Sequence, residues 1–428
     1  MGTLNILSAV EAARQLAAKK ITAEALLVDC LERIASREPV IGAWAHLDRE
    51  GALSRARQLD RGPWQGMLHG LPIGVKDLID TVDMPTAYGS AVYAGHRPAW
   101  DAPCVVLARA AGAIVVGKTV TTEFATFQPG KTANPHNPRH TPGGSSSGSA
   151  AAVADYMVPL AFGTQTAGSV IRPAAFCGAV GFKPTFGTIS RVGVKPLSDH
   201  LDTVGVLARS VPDAALLVAA VTGRRELLIE HPLAAPPRIG LCRTHEWKEA
   251  QPAAMHALEQ AGWRLAKAGA RVRDVDLPPN FAGLVRAQTE IQLYEQAQSL
   301  AFEWLNHRQR LSPRLVETIE AGLAVAPGQY EAALVLARNA RRVLSELFTG
   351  FDALLAPSAT GEAPAGLGAT GDPVFSRVWT LLRLPCVNIP CGTGPRGLPL
   401  GVQLVGPGGA DRETLAVADW AERQLRMT

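Results

Sequence analysis

Hydrophobic positions near the start of the chain repeat at helical spacing. Ser8 can cap a first helix in which Val10, Ala13 and Leu16 recur at intervals of three residues. Thr22 can cap a second helix, whose apolar positions lie on one face: Ala23, Leu26, Leu27, Cys30, Leu31 and Ile34. The pattern predicts two amphipathic helices that pack on the outside of the main body.

From residue 70 onward the period changes, and short apolar runs alternate with helical stretches such as residues 102–112. The predicted strands are Ile73–Val75, Ala113–Val116 and Met157–Phe162. The second of these lies within GAIVVGK, a β-branched run bounded by glycines, which is typical of a buried strand. Strands that alternate with helices predict a sheet covered by helices on both faces.

The same alternation continues to the end of the chain. Residues 236–278 predict strand, helix and strand, and residues 328–358 predict a long helix followed by a strand. LPCVNIPCG and LPLGVQLVGP predict a strand pair joined by a Gly/Pro turn, before a last helix from about Glu413. We find no internal repeat, and the Ala/Pro stretch at 233–237 is interpreted as a loop within one body. The predicted fold is a single α/β body with a mixed, mostly parallel sheet.

Composition and charge narrow the functional classes. Apolar residues make up 47% of the 428 residues, and 42 Lys and Arg against 38 Asp and Glu leave a net charge of only +4. The small excess is spread along the chain, so it gives no reason to expect nucleic acid or an acidic membrane surface as a partner. The six cysteines form no CxxC pair, which argues against zinc and against a disulfide framework. No secretory or membrane-spanning pattern is found, so we expect a cytoplasmic protein.

The run TPGGSSSGSA, residues 141–150, concentrates hydroxyls on a flexible backbone. A Gly/Ser linker is one interpretation, but an Ala-rich helix follows at once, and Ser147 or Ser149 can cap it. A phosphate-binding loop is a second, although neither phosphate-binding glycine motif is present. A nucleophile elbow is a third, because residues 144–148 match G-x-S-x-G. That elbow requires a later catalytic histidine, and none of the five later histidines lies in a distinctive motif: His200, His231, His245, His256 and His307.

A fourth interpretation combines the run with two other segments. In GLPIGVKDLID, Lys76 ends a buried apolar run, where burial would lower its pKa and make a neutral amine available as a base. The plainer alternative for Lys76 is a salt bridge to Asp77 or Asp80. In FGTQTAGSVIRPAAF, Ser169 follows a Gly/Thr-rich turn whose N–H groups can converge on one point. The three segments offer a nucleophile in Ser169, a hydroxyl relay in Ser145 and a base in Lys76.

These segments, in this order, resemble the amidase signature family of serine hydrolases. The resemblance extends over most of the chain and includes LHGLPIGVKDLID, NPRHTPGGSSSGSAAAVA, GTQTAGSVIRPAAFCGAVGFKPT, LDTVGVLARSV, FDALLAPS and GLPLGVQLVG. It implies one amidase domain over residues 1–428. Residues 1–60 would form the outer N-terminal helices, residues 61–230 the core with the catalytic residues, and residues 231–428 the remainder of the same body.

The resemblance also implies a role for each site residue. Lys76 corresponds to the family's base, Ser145 to the serine beside a non-prolyl cis peptide, and Ser169 to the nucleophile, 24 residues after Ser145 as in the family. The oxyanion would be bound by the N–H groups of Thr166, Ala167, Gly168 and Ser169. Ser146 and Ser147 are expected to have structural roles. No metal and no cofactor are expected.

The sequence departs from the family pattern around the nucleophile. Gln165 replaces an aspartate, Ala167 replaces a glycine, and Ile171 stands where an arginine is usual, with Arg172 one residue later. Further away, Val206 replaces a common proline. The loss of the aspartate and the shift of the arginine suggest that neutral side chains have replaced an ion pair near the nucleophile.

Two functions stay open. The first is a stand-alone amidase that hydrolyses a C–N bond in a small soluble amide or carbamoyl compound. The second is a protein like the A subunit of the tRNA-dependent amidotransferase, which releases ammonia from glutamine beside partner subunits. A non-catalytic binding protein is disfavoured by the intact Lys76, Ser145 and Ser169. The expected partner is a small-molecule amide substrate, with no nucleic acid and no membrane, and a homodimer is left open.

Overall fold

The computed structural model describes residues 3–426. The eleven strands of this part of the chain are β1 Trp44–Leu47, β2 Pro72–Lys76, β3 Ile114–Thr119, β4 Leu160–Gln165, β5 Val180–Lys183, β6 Thr203–Ala208, β7 Arg238–Leu241, β8 Arg271–Asp274, β9 Ala353–Pro357, β10 Cys386–Thr393 and β11 Pro399–Val405. Its α-helices are α1 Ala9–Ala17, α2 Ala23–Ile41, α3 Arg49–Arg61, α4 Pro103–Ala110, α5 Ser147–Ala154, α6 Ile171–Cys177, α7 Val211–Thr222, α8 Pro252–Lys267, α9 Leu284–Ser299, α10 Ala301–His307, α11 Pro313–Leu323, α12 Pro327–Arg342, α13 Leu344–Leu347, α14 Val374–Leu381 and α15 Asp411–Arg426.

All eleven strands belong to one sheet, in the order β1-β3-β2-β4-β6-β5-β10-β11-β9-β7-β8. The predicted mixed sheet in a single body is confirmed, but the predicted parallel majority is wrong. Four neighbouring pairs are parallel, β2 with β3 and β4, and β7 with β8 and β9. The other six pairs, through the middle of the sheet and at the β1 edge, are antiparallel. Strand–helix alternation in the sequence does not fix strand direction, because long connections can return a chain either way.

Both faces of the sheet are covered, as predicted. Every residue of β2, β3, β4, β5, β6 and β9 is buried, so neither face of these strands reaches solvent. Helices α5 and α6 pack against each other and against the sheet. Helices α7 and α15 form a second packed group that contacts the same part of the sheet. The largest hydrophobic cluster runs from Ala9 to Leu425 and so includes both ends of the chain. Within residues 3–426 no helix combines the length and apolar character needed to cross a bilayer.

The N-terminal helices form where the pattern predicts them. Ser8 caps α1, and its hydroxyl accepts a hydrogen bond from the Glu11 N–H at 3.1 Å. The predicted apolar face of α1 is only partly correct, because Leu16 is buried but Val10 is 42% exposed, and the other buried residues are Ala9 and Ala12. Thr22 caps α2 through the Ala25 N–H. All six apolar positions predicted for α2 are buried.

Most of the later elements also match the predictions. The helix at 102–112, the strand in GAIVVGK, the strand–helix–strand of 236–278 and the hairpin of β10 and β11 are present. The predicted strand at Met157–Phe162 begins three residues later, at Leu160. The long helix of residues 328–358 is divided, since α12 ends at Arg342 and a short α13 follows. All six cysteines are free thiols.

Candidate active site

Two parallel strands place the first site residues. Strands β2 and β4 are neighbours, with Val75 opposite Phe162, so their carboxyl ends lie at the same edge of the sheet. Lys76 is the last residue of β2. Its Nζ atom is hydrogen-bonded to the Thr164 hydroxyl of β4 at 2.7 Å and to the Ser145 hydroxyl at 2.7 Å. The end of β2 therefore places the Lys76 amine in contact with two hydroxyl groups.

The Lys76 side chain has 0% of its surface exposed to solvent. Burial lowers its pKa well below 10.5, because desolvation disfavours the ammonium, and the negative charge of Asp202 opposes this only in part. The alternative of a salt bridge to Asp77 or Asp80 is not observed within residues 3–426. Asp77 instead lies 3.4 Å from Lys118 Nζ, and Asp80 accepts a hydrogen bond from the Tyr88 hydroxyl. Lys76 is thus held in conditions that favour a neutral amine.

The Ser/Gly run is a buried loop that leads into α5, and not a linker. The Gly144–Ser145 peptide bond is cis, as the family resemblance implies. Gly143 has φ +80°, and a Cβ atom there would lie 2.8 Å from Pro173 Cα, so only glycine fits. Ser145 is 1% exposed. The loop therefore places the hydroxyl of Ser145, which lies outside the sheet, in contact with the Lys76 amine at the end of β2.

The other serines of the run have structural hydrogen bonds. The Ser146 hydroxyl donates to the Thr164 carbonyl oxygen and accepts from the Thr164 N–H, both at 3.2 Å, which attaches the loop to β4. Ser147 donates to Val120 O and Ser149 to Phe162 O. The elbow interpretation fails because the central serine of G-x-S-x-G, Ser146, is committed to the backbone of β4. The predicted capping of α5 is wrong, since Ser146 is its N-cap residue and makes no side-chain cap bond.

The turn after β4 presents free backbone N–H groups. Among residues 3–426, the N–H groups of Thr166, Ala167, Gly168 and Ser169 have no protein acceptor within hydrogen-bond distance. The next two N–H groups, of Val170 and Ile171, both donate to Gln165 Oε1, at 2.9 and 3.1 Å. Four consecutive unpaired donors just before α6 form an arrangement that can bind an oxyanion.

The turn itself is anchored by neutral side chains. Gln165 Nε2 donates to the Thr380 hydroxyl at 2.9 Å, and that hydroxyl donates to the Ala167 carbonyl oxygen at 2.7 Å. The Thr166 carbonyl oxygen accepts from Gln288 Nε2 at 3.0 Å. In the described part of the chain, no arginine is hydrogen-bonded to Gln165. The expectation that a neutral arrangement replaces an ion pair therefore agrees with the observed contacts.

Ser169 lies beside the serine loop. Its carbonyl oxygen accepts a hydrogen bond from the Ser146 N–H at 3.2 Å. Ser169 is 7% exposed, more than Ser145. No hydrogen bond joins the Ser145 and Ser169 hydroxyls in the part of the chain that the structure describes. The structure thus brings Lys76 and Ser145 into direct contact, and brings Ser169 next to them through the backbone.

Arg172 contacts the loop and not the turn. Its Nη2 atom donates to the Gly144 carbonyl oxygen at 2.7 Å and to the Thr370 hydroxyl at 3.2 Å. Burial lowers the pKa of this guanidinium to about 9, with Asp372 opposing the shift. The arginine displaced by one position in the sequence therefore holds the residue that precedes Ser145.

Two residues of the site were not assigned from the sequence. Thr164, on β4, is the second partner of Lys76, and strand alternation would place it on the same side as Phe162. Asp202 lies in the LDTVG segment and accepts from the Thr166 hydroxyl at 2.6 Å. Only the pairing of β4 with β6 brings this carboxylate to the turn. Within residues 3–426 no group of three or more His, Cys, Asp or Glu side chains is arranged to hold a metal ion.

A family of known proteins matches most of the chain. The model of the amidase family matches residues 25–415. The chain belongs to the amidase family. The members of this family are amide-hydrolysing enzymes, so the chain is assigned to the amidase class.

Individual relatives agree with the family assignment. The A subunit of the glutamyl-tRNA(Gln) amidotransferase from Acidothermus cellulolyticus is 35% identical, over 98% of this chain and 94% of its own length. A crystal structure described as an amidase is 32% identical, with a TM-score of 0.89 over 98% of this chain and 100% of its own. The native peptide amidase of Stenotrophomonas maltophilia is 30% identical, with a TM-score of 0.82 over 98% of this chain and 97% of its own. The amidase fold therefore extends over nearly the whole chain.

Proposed function

We propose that this amidase hydrolyses a C–N bond of a small soluble amide or carbamoyl compound through Lys76, Ser145 and Ser169, by way of an acyl-enzyme on Ser169. The observation that carries the proposal is the 2.7 Å contact between the buried Lys76 amine and the Ser145 hydroxyl. A neutral amine has two N–H bonds and one lone pair. One N–H can donate to Thr164, and the lone pair is then available to the Ser145 hydroxyl proton.

The proposed reaction begins with a relay of two protons. The Lys76 lone pair accepts the proton of Ser145 as Ser145 accepts the proton of Ser169, and Ser169 Oγ attacks the substrate carbonyl carbon. The carbonyl oxygen becomes an oxyanion, for which Thr166, Ala167, Gly168 and Ser169 supply the N–H donors. The hydroxyls of Ser145 and Ser169 need only approach each other in the substrate complex, since catalytic hydrogen bonds often tighten on binding.

The second half of the proposed reaction returns the protons. As the C–N bond breaks, the proton on Lys76 returns through Ser145 to the leaving nitrogen. Water then attacks the acyl-enzyme by the same relay, and the Ser169 hydroxyl is regenerated with release of the acid. The neutral amine is thus a base in each attack and, once protonated, an acid in each collapse.

The test is amide hydrolysis by the purified chain, with mass spectrometry of the acylated protein. We expect an acyl adduct on the peptide that contains Ser169, and a loss of at least about 10³-fold in kcat/KM for Ser169→Ala and for Lys76→Ala. Matched controls are Ser345→Ala and Lys248→Ala, at exposed positions, which we expect to retain activity. Wild-type turnover by Ser169→Ala, or an adduct on another residue, would overturn the proposal.

A second function is favoured by the relatives, since the A subunit of a glutamyl-tRNA(Gln) amidotransferase is 35% identical over nearly the full chain. In that case the same residues would release ammonia from glutamine beside partner subunits. Assaying glutamine against simple amides with the chain alone separates the two functions. Efficient turnover of simple amides without a partner supports the stand-alone enzyme, whereas activity on glutamine that appears only with partner subunits supports the second.

A further inference from the structure

The residue just beyond the C-cap of helix α14 has an unusual backbone conformation. Arg383 has φ +65°, in the left-handed region. Its N–H donates to the Thr380 carbonyl oxygen at 3.0 Å, and the N–H of Leu384 donates to the Trp379 carbonyl oxygen at 3.1 Å. These two bonds form a Schellman motif, in which the left-handed position is usually glycine. A non-glycine residue there is strained, and strain of this kind is concentrated at functional sites.

The Arg383 side chain packs on an aromatic ring that it shares with a second arginine. Its Cζ atom lies 4.2 Å from the centroid of the Phe186 ring, and the Cζ atom of Arg191 lies 4.9 Å from the same centroid. Gly187, the next residue after this phenylalanine, is exposed, and a Cβ atom there would meet nothing within 4 Å. The two guanidinium groups are therefore held by one ring beside open space.

Helix α12 adds two more arginines. Arg338 and Arg341 are three residues apart, so they lie on one face of α12. Arg341 Nη1 donates to the carbonyl oxygen of Leu381, the last residue of α14, at 3.3 Å, and so lies close to Arg383. Burial and the positive charges of Arg383 and Arg338 lower the pKa of Arg341 to about 10, as expected for groups close enough to repel one another. The arginine cluster therefore has four members: Arg191, Arg338, Arg341 and Arg383.

The arginine cluster lacks an acidic partner. Within residues 3–426, no carboxylate lies within salt-bridge distance of any of its members. Arg383 Nε is buried without a hydrogen-bond partner in that same range. The negative charge of Glu295 reaches Arg383, but both oxygens of this carboxylate already accept hydrogen bonds, from Ser198, His200 and Tyr330. The cluster therefore keeps a positive charge that the described residues do not compensate.

The uncompensated charge indicates which chemical class of ligand fits. One carboxylate would compensate only one of the four guanidinium groups. Two linked phosphates carry about three negative charges at neutral pH and accept paired, charge-assisted hydrogen bonds from guanidinium groups. A ligand of this class would explain both the strained conformation of Arg383 and the absence of a carboxylate beside the cluster.

We propose that the arginine cluster binds a small molecule that carries a diphosphate group, at a second site outside the proton relay. No member of the cluster is hydrogen-bonded to Lys76, Ser145 or Ser169 in the described part of the chain. The proposal is therefore independent of the chemistry at Ser169, and binding measurements alone test it.

The test is isothermal titration calorimetry of the purified chain with pyrophosphate and with ADP, and with inorganic phosphate as the single-phosphate comparison. We expect one binding site for the diphosphates and affinity at least about 10-fold weaker for inorganic phosphate. Arg383→Gly should weaken diphosphate binding by about 10- to 100-fold, the range for hydrogen bonds to a charged group. This variant should keep the fold, because glycine is the residue favoured at the left-handed position.

Two control variants locate the site. Arg273→Gln removes the same charge from an exposed residue of β8 and should leave the affinity unchanged. Ser169→Ala should also bind pyrophosphate as the wild type does, which separates this site from the catalytic residues whether or not the proposed hydrolysis is correct.

Three results would overturn the proposal. They are no heat of binding for pyrophosphate or ADP at about 1 mM, equal affinity in Arg383→Gly and the wild type, and loss of binding in Ser169→Ala. A single-stranded RNA oligonucleotide tests a nucleic-acid backbone as the source of the phosphates. Binding of this RNA without binding of either diphosphate would exclude the small-molecule ligand.

Discussion

Lys76 Nζ lies 2.7 Å from Ser145 Oγ, and neither side chain is more than 1% exposed. A lysine in water is protonated at neutral pH, and an ammonium cannot accept a proton. Desolvation lowers the pKa of Lys76 well below 10.5, which favours the neutral form that a base requires. The negative charge of Asp202 opposes this shift.

The first prediction concerns the pH dependence of the rate. If neutral Lys76 is the base, kcat/KM is low below the pKa of Lys76 and rises with pH to a plateau above it. Asp202→Asn removes a charge that raises this pKa, so the rise should move to lower pH. Steady-state kinetics from about pH 5 to 10 measure both profiles. A rise that moves to higher pH in Asp202→Asn would contradict the assignment of the ionisation to Lys76.

The second prediction concerns stability. Between the lowered folded-state pKa of Lys76 and 10.5, the unfolded chain binds the proton that the folded chain has lost, so stability rises with pH in that window. Lys76→Met removes this dependence. We expect the free energy of unfolding of Lys76→Met, minus that of the wild type, to fall as pH rises, by at most about 1.4 kcal/mol per pH unit.

Urea denaturation of both proteins across the alkaline range measures this difference. Other buried ionisable groups, such as Glu422, with a pKa raised by burial to about 7, are common to both proteins and cancel. A difference that does not change with pH would show that Lys76 keeps an ordinary pKa in the folded state.

The third prediction concerns the space around the turn. A Cβ atom on Gly168 would lie 2.9 Å from Pro373 Cβ and 3.1 Å from Ser376 Cβ, so Gly168→Ala must move the turn or α14. Because this displaces the unpaired N–H groups, we expect kcat to fall by about 10²-fold or more, the effect of losing one oxyanion donor.

The matched control is Gly328→Ala, in the first turn of α12, where an added Cβ meets nothing within 4 Å. This variant should retain kcat. Steady-state kinetics and thermal denaturation of the two variants distinguish a local effect on the turn from a general effect on folding. Full activity in Gly168→Ala would exclude these N–H groups as essential donors.

The fourth prediction concerns the neutral anchor of the turn. Gln165→Leu leaves the Val170 and Ile171 N–H groups without their acceptor and Thr380 without a donor. We expect a loss of about 2–4 kcal/mol in the free energy of unfolding, since each unsatisfied buried group costs about 1–3 kcal/mol. Gln165→Glu keeps an acceptor for both N–H groups and should be less destabilised.

Activity separates the charge of this residue from its hydrogen bonds. The carboxylate of Gln165→Glu would lie on the residue next to the first proposed oxyanion donor, Thr166, so it should lower kcat more than it lowers stability. Chemical denaturation and steady-state kinetics on both variants give the two quantities. If Gln165→Glu retained full kcat, the neutrality of the residue that anchors the turn would not matter for stabilising the oxyanion.

Much of this site could be predicted from motif order. Lys76 ends an apolar run, the serine run precedes an Ala-rich helix, and Ser169 follows a Gly/Thr turn. Each of these is a local sequence feature, so it can be recognised without a structure. The structural role of Ser146 was predicted, but its partner and the role of Thr164 were not, because the contact between these two residues joins a loop to a strand 18 residues later. The arginine cluster likewise depends on the tertiary structure, because Arg191 and Arg383 are distant in the sequence and share one aromatic ring.

The sequence by itself determined the amphipathic N-terminal helices, most strands, the family and the identities of the candidate site residues, because periodicity and motif spacing are properties of the chain. Only the tertiary structure decided the antiparallel majority of the sheet, the buried face of α1, and which groups surround Lys76. The physical reason is that strand direction, desolvation and charge balance depend on neighbours far away in the sequence. The Lys76 amine can lose its charge only because strands, loop and helices from several parts of the chain exclude water from it.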